Sequence, residues 1–353
     1  MKVLFVYKYL TLGGCETVIR ARLEGLEREG IEAHAWFFED LGGIDIFAGL
    51  ESRVRVGGLR DCESAILDEG FDLVSTIDTE EVFPLFEANP RLPALVVEAH
   101  SPHPENLEYL RRTEDVPVAA FFAPSEYQAA LVAERVAGPA AITVVPNPLR
   151  ASFCEAIAPT SGARPPRIAW IGRLDALKNW PEFVDVAASL RGSGIDAVFR
   201  LVGRAPDRLT PEALLARLEA AAVADRLRWY RGLDHARIPA FLDFVRDSGG
   251  VVVVTSRGES FGMVAAEAMA RGCACVIADQ PPLSELAGAG RFARTYPPGD
   301  AGRAAAEVAS LLADADGRTS LGSRARDAIL ARHSPAAAIP ALARALESAA
   351  SRK

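Results

Sequence analysis

Cysteine is scarce and scattered, long apolar runs are missing, and base is outnumbered by acid. Each shortage removes a class of protein. The five cysteines, Cys15, Cys62, Cys154, Cys273 and Cys275, are odd in number and scattered along the chain, so no disulfide framework is read. Cys273 and Cys275 alternate along one expected strand with no second pair or nearby His to complete a zinc pattern, and are read as buried thiols. No stretch approaches the roughly 20 apolar residues of a membrane span. The opening run Val3 to Tyr7 is cut by Lys8, so no signal peptide is read and the cytoplasm is the expected compartment. No Asp-x-Asp stands at an expected strand end, which leaves no motif for a metal-held diphosphate. Gly13-Gly14-Cys15-Glu16 lacks the G-x-G-x-x-G spacing that a nicotinamide dinucleotide would call for.

What is present is an α/β composition. Aromatics make up 7% of the 353 residues and hydrophobic residues 50%, the balance of parallel sheets with Ala-rich helices, at a length of about two domains. Charge is uneven. Residues 1–150 carry 13 Lys and Arg against 25 Asp and Glu, a balance of −12, while the remaining residues carry 26 against 22, a balance of +4. An acidic N-terminal half disfavours nucleic acid and anionic membrane as partners, and a mildly basic C-terminal half suits a domain that holds a nucleotide diphosphate.

The chain is organised around residues 251–277. Val251 to Thr255 is a β-branched run of the kind buried on both faces of a parallel sheet. The loop Ser256 to Ser260 turns it into an Ala- and Met-rich helix, expected from Phe261 to Ala270 and stopped by Gly272. A further strand, Cys273 to Ala278, follows. Strand, turn, helix and strand in this order place a helix start at the C-terminal edge of a parallel sheet, where open α/β folds bind ligands. The first-turn amides of Phe261, Gly262, Met263 and Val264 then form an anion site suited to phosphate. Glu259 and Glu267 flank it. Glu267, among Val264, Ala265, Ala266, Ala268 and Met269, is costly as an unpaired acid; its carboxylate could accept from a sugar diol such as ribose. Upstream, the strand Arg167 to Ile171 ends at Gly172, and Arg173 and Lys178 are spaced to converge on one diphosphate from the loop beyond it.

The segment from Glu259 to Glu267, E-S-F-G-M-V-A-A-E, resembles the Glu, seven residues, Glu signature of retaining glycosyltransferases of family 4. Gly172 to Lys178 is similar to that family's G-R-L-x-x-x-K, and the Gly-Gly loop at 13–14, Ala123-Pro124-Ser125-Glu126 and Val144-Val145-Pro146-Asn147-Pro148 extend the resemblance over nearly the whole chain. The resemblance implies an α/β GT-B fold, two Rossmann-like domains facing each other across a cleft. The expected domains are 1–158, binding acceptor, and 159–353, binding donor, with Pro159 to Pro166 as linker and the last helix crossing back to the N-terminal domain.

It also implies roles. Gly14 would approach the donor's distal phosphate or sugar, and His100, at the end of the strand Leu95 to Glu98, would face the donor sugar. Glu259 would bind the sugar hydroxyls and Glu267 the ribose, beside Ser260 and the helix amides. Arg173 and Lys178 would carry the leaving diphosphate. Gly172 and Gly203 lie at strand ends beside the nucleotide, and the loop at Arg231 would hold the base. His103, Glu105 and Asn106 are lesser acceptor-side candidates. After Ile277 the chain departs from the family, reading Asp279-Gln280-Pro281-Pro282-Leu283-Ser284-Glu285 where many relatives have a Gly-rich turn, so this loop is assigned no donor contact.

The expected activity is transfer of a hexose or hexosamine from a nucleotide diphosphate sugar to a hydroxyl of a soluble acceptor, an amino sugar or aminocyclitol, with retention and without metal or cofactor. A nucleotide-sugar epimerase of GT-B fold, a pyridoxal-phosphate phosphorylase and a non-catalytic nucleotide-sugar-binding module are the alternatives.

Overall fold

A computed structural model of the chain describes residues 1–138, 140–157, 165–205 and 209–352. Two compact units emerge, Met1–Arg150 joined by Arg332–Lys353, and Ala151–Ala331. The expected boundary between residues 158 and 159, with most of the Pro159 to Pro166 linker, lies outside the described residues.

The first unit runs β1 (Lys2–Leu10), α1 (Gly14–Leu26), β2 (Glu32–Asp40), β3 (Val54–Val56), α2 (Leu59–Asp68), β4 (Leu73–Ile77), α3 (Phe83–Ala88), β5 (Ala94–Glu98), β6 (Val118–Ala123), α4 (Glu126–Ala133) and β7 (Ile142–Val144). All seven strands pair in parallel in the order β3-β2-β1-β4-β5-β6-β7. Every residue of β4 and β5 is buried, Ser75 and Glu98 among them, as in strands of a parallel sheet covered on both faces.

The second unit runs α5 (Ala151–Cys154), β8 (Arg167–Ile171), α6 (Trp180–Gly192), β9 (Val198–Val202), α7 (Pro211–Ala220), β10 (Leu227–Tyr230), α8 (Ile238–Asp247), β11 (Val251–Val254), α9 (Met263–Ala270), β12 (Ala274–Ala278), α10 (Leu283–Ala287), β13 (Arg294–Tyr296) and α11 (Ala301–Ala313). Its parallel sheet has the order β10-β9-β8-β11-β12-β13. α12 (Ala315–His333) then leads to α13 (Pro335–Ala350). Ile339, Leu342, Ala343, Leu346 and Ala349 of α13, a helical stripe, join the core of Val3, Phe5 and Leu23 in the first unit. Gly25 lets α1 and α13 approach, since a Cβ there would meet Ile339 Cγ1 at 2.5 Å.

Both sheets reverse their strand order beside their first strand, between β1 and β4 and between β8 and β11. Loops leaving the C-terminal edges at these switch points are where such sheets hold ligands. The loops after β8 and β11 are those that carry Gly172 to Lys178 and Ser256 to Gly262.

Candidate functional site

In the second unit the two motif loops are latched together by their own polar atoms. Thr255 Oγ1 lies 2.9 Å from the carbonyls of both Lys178 and Asn179 and accepts from Trp170 Nε1 at 2.8 Å. The Arg257 N–H donates to the Leu177 carbonyl at 2.7 Å, which sets the depth of the second loop against the first. Across the latch, Lys178 Nζ meets Glu259 Oε1 at 2.6 Å, with the two side chains 20% and 11% exposed. The lysine is itself oriented from below, because its backbone N–H donates to Asp175 Oδ1 at 2.8 Å. Arg173 stands further out, and its guanidinium is held by Asp175 Oδ2 at 3.0 Å.

Glycine is required at two of the expected positions. Gly203, after β9, has φ +154°, and a Cβ on it would fall 1.7 Å from the Gly172 carbonyl oxygen. The two strand ends therefore touch backbone to backbone, which any side chain would prevent. Gly262 has φ +100°, and a Cβ there would meet Leu283 Cδ2 at 2.6 Å.

That left-handed residue also moves the helix start. The helix expected from Phe261 begins at Met263, with Gly262 as its N-cap, so Phe261 belongs to the loop and is buried. The first-turn amides are those of Met263, Val264 and Ala265, and they, rather than the Phe261 amide, lie at the positive end of α9. Ser260 precedes them in the loop, partly buried.

Glu267 lies on α9 and is 5% exposed. Its Oε1 is 3.0 Å from His235 Nε2, a partner absent from the residues singled out in the sequence. His235 follows β10 in the loop that contains Arg231, whose guanidinium lies over the Trp229 ring at 4.9 Å. Gln280 is a second residue missed. Its side-chain amide donates to the Ser256 carbonyl, so the loop after β12, assigned no donor contact, braces the motif loop from the other side.

In the first unit Gly14 follows β1, at its switch point, and His100 follows β5, one strand beyond β4. Gly14 is the first residue of α1. Beside it, Glu16 folds back so that Oε1 accepts from the Thr11 amide at 2.6 Å and the Thr11 hydroxyl at 2.5 Å. His100 is buried, and its Nε2 lies 3.0 Å from Glu98 Oε2. Glu98 also receives both terminal nitrogens of Arg22, at 2.7 and 2.9 Å, and the Ser75 hydroxyl at 2.6 Å. Burial opposes ionisation of Glu98, yet Arg22 and His100 hold it well below the usual carboxylate range.

Asp78, one residue past β4, is the next link. Both its oxygens lie 3.0 Å from the His100 amide nitrogen, and Oδ1 accepts from Tyr109 at 3.2 Å. Burial, with Glu98 nearby, pushes its acid up to about 6 against the pull of His100 and Tyr109. His103 is half-exposed, 3.4 Å from Glu105. Sequence reasoning missed Asp78 because its position depends on strand register, although an acid one residue beyond a buried strand is the signal that would find it.

Residues 158–328 match the family described as Glycosyl transferases group 1. The 2-deoxystreptamine N-acetyl-D-glucosaminyltransferase of Streptomyces fradiae is 36% identical over 109 residues, 30% of this chain and 24% of that protein. The alpha-D-kanosaminyltransferase of Streptomyces kanamyceticus is 29% identical over 173 residues, 49% of this chain and 43% of that protein. The chain thus spans less than half the length of the curated relatives it matches. Among solved structures, Anabaena HepE in complex with UDP-glucose superposes with a TM-score of 0.82 at 17% identity, covering 99% of this chain and 100% of that one. The sucrose-phosphate synthase of Thermosynechococcus elongatus gives 0.79 at 13% identity, with 100% of each chain covered. No helix among the described residues is long and apolar enough to cross a membrane. The stretch from 158 to 328, which carries the Lys178–Glu259 pairing and the helix start at Met263, is thus similar to a glycosyl transferases group 1 domain, in a chain with the two-Rossmann GT-B fold.

Proposed function

We propose that the protein is a retaining glycosyltransferase, acting in the cytoplasm, that moves a hexose or hexosamine from a nucleotide diphosphate sugar to a hydroxyl of a soluble acceptor. The carrying observation is the 2.6 Å pairing of Lys178 with Glu259 across the switch point of the second unit. It sets a cation for the diphosphate and a carboxylate for the sugar side by side, next to the amides that open α9. The donor's phosphates would draw Lys178 from Glu259 and free that carboxylate for the sugar hydroxyls. Arg173, with its side chain 59% exposed, would close on the same phosphates.

In the transfer, the bond from the anomeric carbon to the phosphate oxygen breaks as the acceptor oxygen attacks from the same face. The acceptor's proton passes to the departing phosphate oxygen, so no separate base is needed. Negative charge grows on the diphosphate, where Lys178, Arg173 and the α9 amides meet it without metal. An amino sugar or aminocyclitol is the proposed acceptor class, supported by the relative whose name carries the aminocyclitol 2-deoxystreptamine beside the sugar it transfers.

A thermal-shift panel of nucleotide sugars tests the donor, since a ligand at 100 times its Kd adds about 2.7 kcal/mol to stability. Transfer is then followed by NMR of the product anomer. Inverted product would overturn retention, and conversion of donor with no acceptor would favour an epimerase.

A further inference from the structure

We infer that His235 is a positioning residue for Glu267, setting the carboxylate that receives the donor's ribose; the inference rests on the nucleotide-sugar reading above. Glu267 projects from a helix whose neighbouring side chains are apolar and buried, and its own side chain is 7% exposed. A carboxylate in such a place can accept from two adjacent hydroxyls only if its plane is fixed. His235 supplies the fixing bond, at 3.0 Å to Oε1, and does so from a different element, 32 residues earlier in the chain.

The imidazole is itself held in place. Asp234 Oδ1 accepts from the Ala236 amide at 2.9 Å and so builds the turn that presents the ring. Phe153 packs against the ring at 5.2 Å between centroids. With Nε2 carrying the proton, the ring donates to Glu267, and the loop after β10 becomes coupled to the ribose carboxylate. Any group that replaces His235 must therefore put a donor at the Nε2 position. Glutamine's amide nitrogen reaches it; asparagine's corresponds to Nδ1 and stops short.

The test is calorimetric titration of the full chain with the diphosphates of uridine, guanosine, adenosine and thymidine, the tightest binder to wild type serving as the probe for every variant. His235→Ala should weaken the probe by about tenfold to a hundredfold, the range for a lost hydrogen bond to a charged group. His235→Gln should restore most of the affinity, and His235→Asn should not. Combining His235→Ala with Glu267→Gln should bind no more weakly than Glu267→Gln alone, because two residues acting through one contact are not additive. Wild-type affinity in His235→Ala, beside weakened binding in Glu267→Gln, overturns the positioning role and leaves the ribose role standing. Wild-type affinity in Glu267→Gln overturns the ribose role, and this inference with it. A lower melting temperature in both His235→Gln and His235→Asn with unchanged affinity marks a structural residue and also overturns it.

Discussion

Lys178 is set for the reaction rather than for the fold, and its two roles can be separated. A mostly buried ion pair adds little net stability, although removing one partner leaves the other charge uncompensated, whereas one preorganised charge facing a developing anion is worth about a hundredfold to a thousandfold in rate. Lys178→Ala and Arg173→Ala should therefore each cut kcat in that range, Arg173→Ala melting close to wild type and Lys178→Ala below it, and chelator should leave the wild-type rate intact. Wild-type turnover in both variants, or loss with EDTA that magnesium reverses, would contradict the electrostatic scheme.

Asp78 gives a second test at this scale. Its folded pKa is raised from 3.8 to about 6, so its contribution to stability is present below the unfolded value and lost as pH rises through 6. By linkage the loss is about 2–3 kcal/mol. Asp78→Asn should gain on wild type between pH 4 and pH 7 in urea midpoints; parallel curves would refute it. Lys178 and Glu259, in the loops after β8 and β11, were legible as candidates through their spacing and the resemblance of their two segments to family motifs, and Glu267 because its type conflicts with the apolar residues around it. Asp78, His235 and Gln280 were not, since each acquires its meaning from a partner on another element.

At the scale of elements, strands buried on both faces were readable almost to the residue, because an apolar β-branched run between helices has few alternatives. The three-residue β13 was not, as Arg294-Thr295-Tyr296 has no such run and exists by pairing with β12. The start of α9 shifted to Met263 because Gly262 takes a left-handed conformation that composition does not reveal. The return of the chain through α12 and α13 hangs on His333. Its Nδ1 lies 3.0 Å from the Asn147 carbonyl, and its own carbonyl accepts from the Leu149 amide at 2.8 Å. Burial, aided by Arg332 and resisted by the Asn147 bond, lowers its pKa to about 4. A neutral folded histidine that takes a proton when unfolded stabilises above about 6.5, and that stability, about 3 kcal/mol, is lost as pH falls towards 4. Hydrogen exchange of α13 should accelerate between pH 7 and pH 4.5 in wild type and less so in His333→Asn, whose amide can still donate to Asn147. Equal acceleration in both would remove His333 from this role.

For the molecule as a whole, the fold redistributes charge. Residues 332–353 carry four basic residues and one acidic, and they join the first unit. That unit therefore holds 17 basic and 26 acidic residues, a balance of −9, and the second 22 and 21, a balance of +1. The asymmetry read from the sequence survives in weaker form. Within the first unit Glu98 is compensated by Arg22 and His100, while Asp78 is met by the His100 amide and the Tyr109 hydroxyl. A negative field of this kind repels an anionic bilayer and favours a cationic acceptor such as an aminocyclitol. Apparent affinity for a cationic acceptor should then fall with added salt, over the range where the Debye length shortens from about 30 to 8 Å. A neutral acceptor of the same size should show no such dependence. Asp78→Asn should weaken the cationic acceptor and flatten its salt curve. Preference for an anionic or lipid-linked acceptor, or a salt-independent affinity for the cationic one, would show that the acids of this unit serve only to keep its surface hydrated.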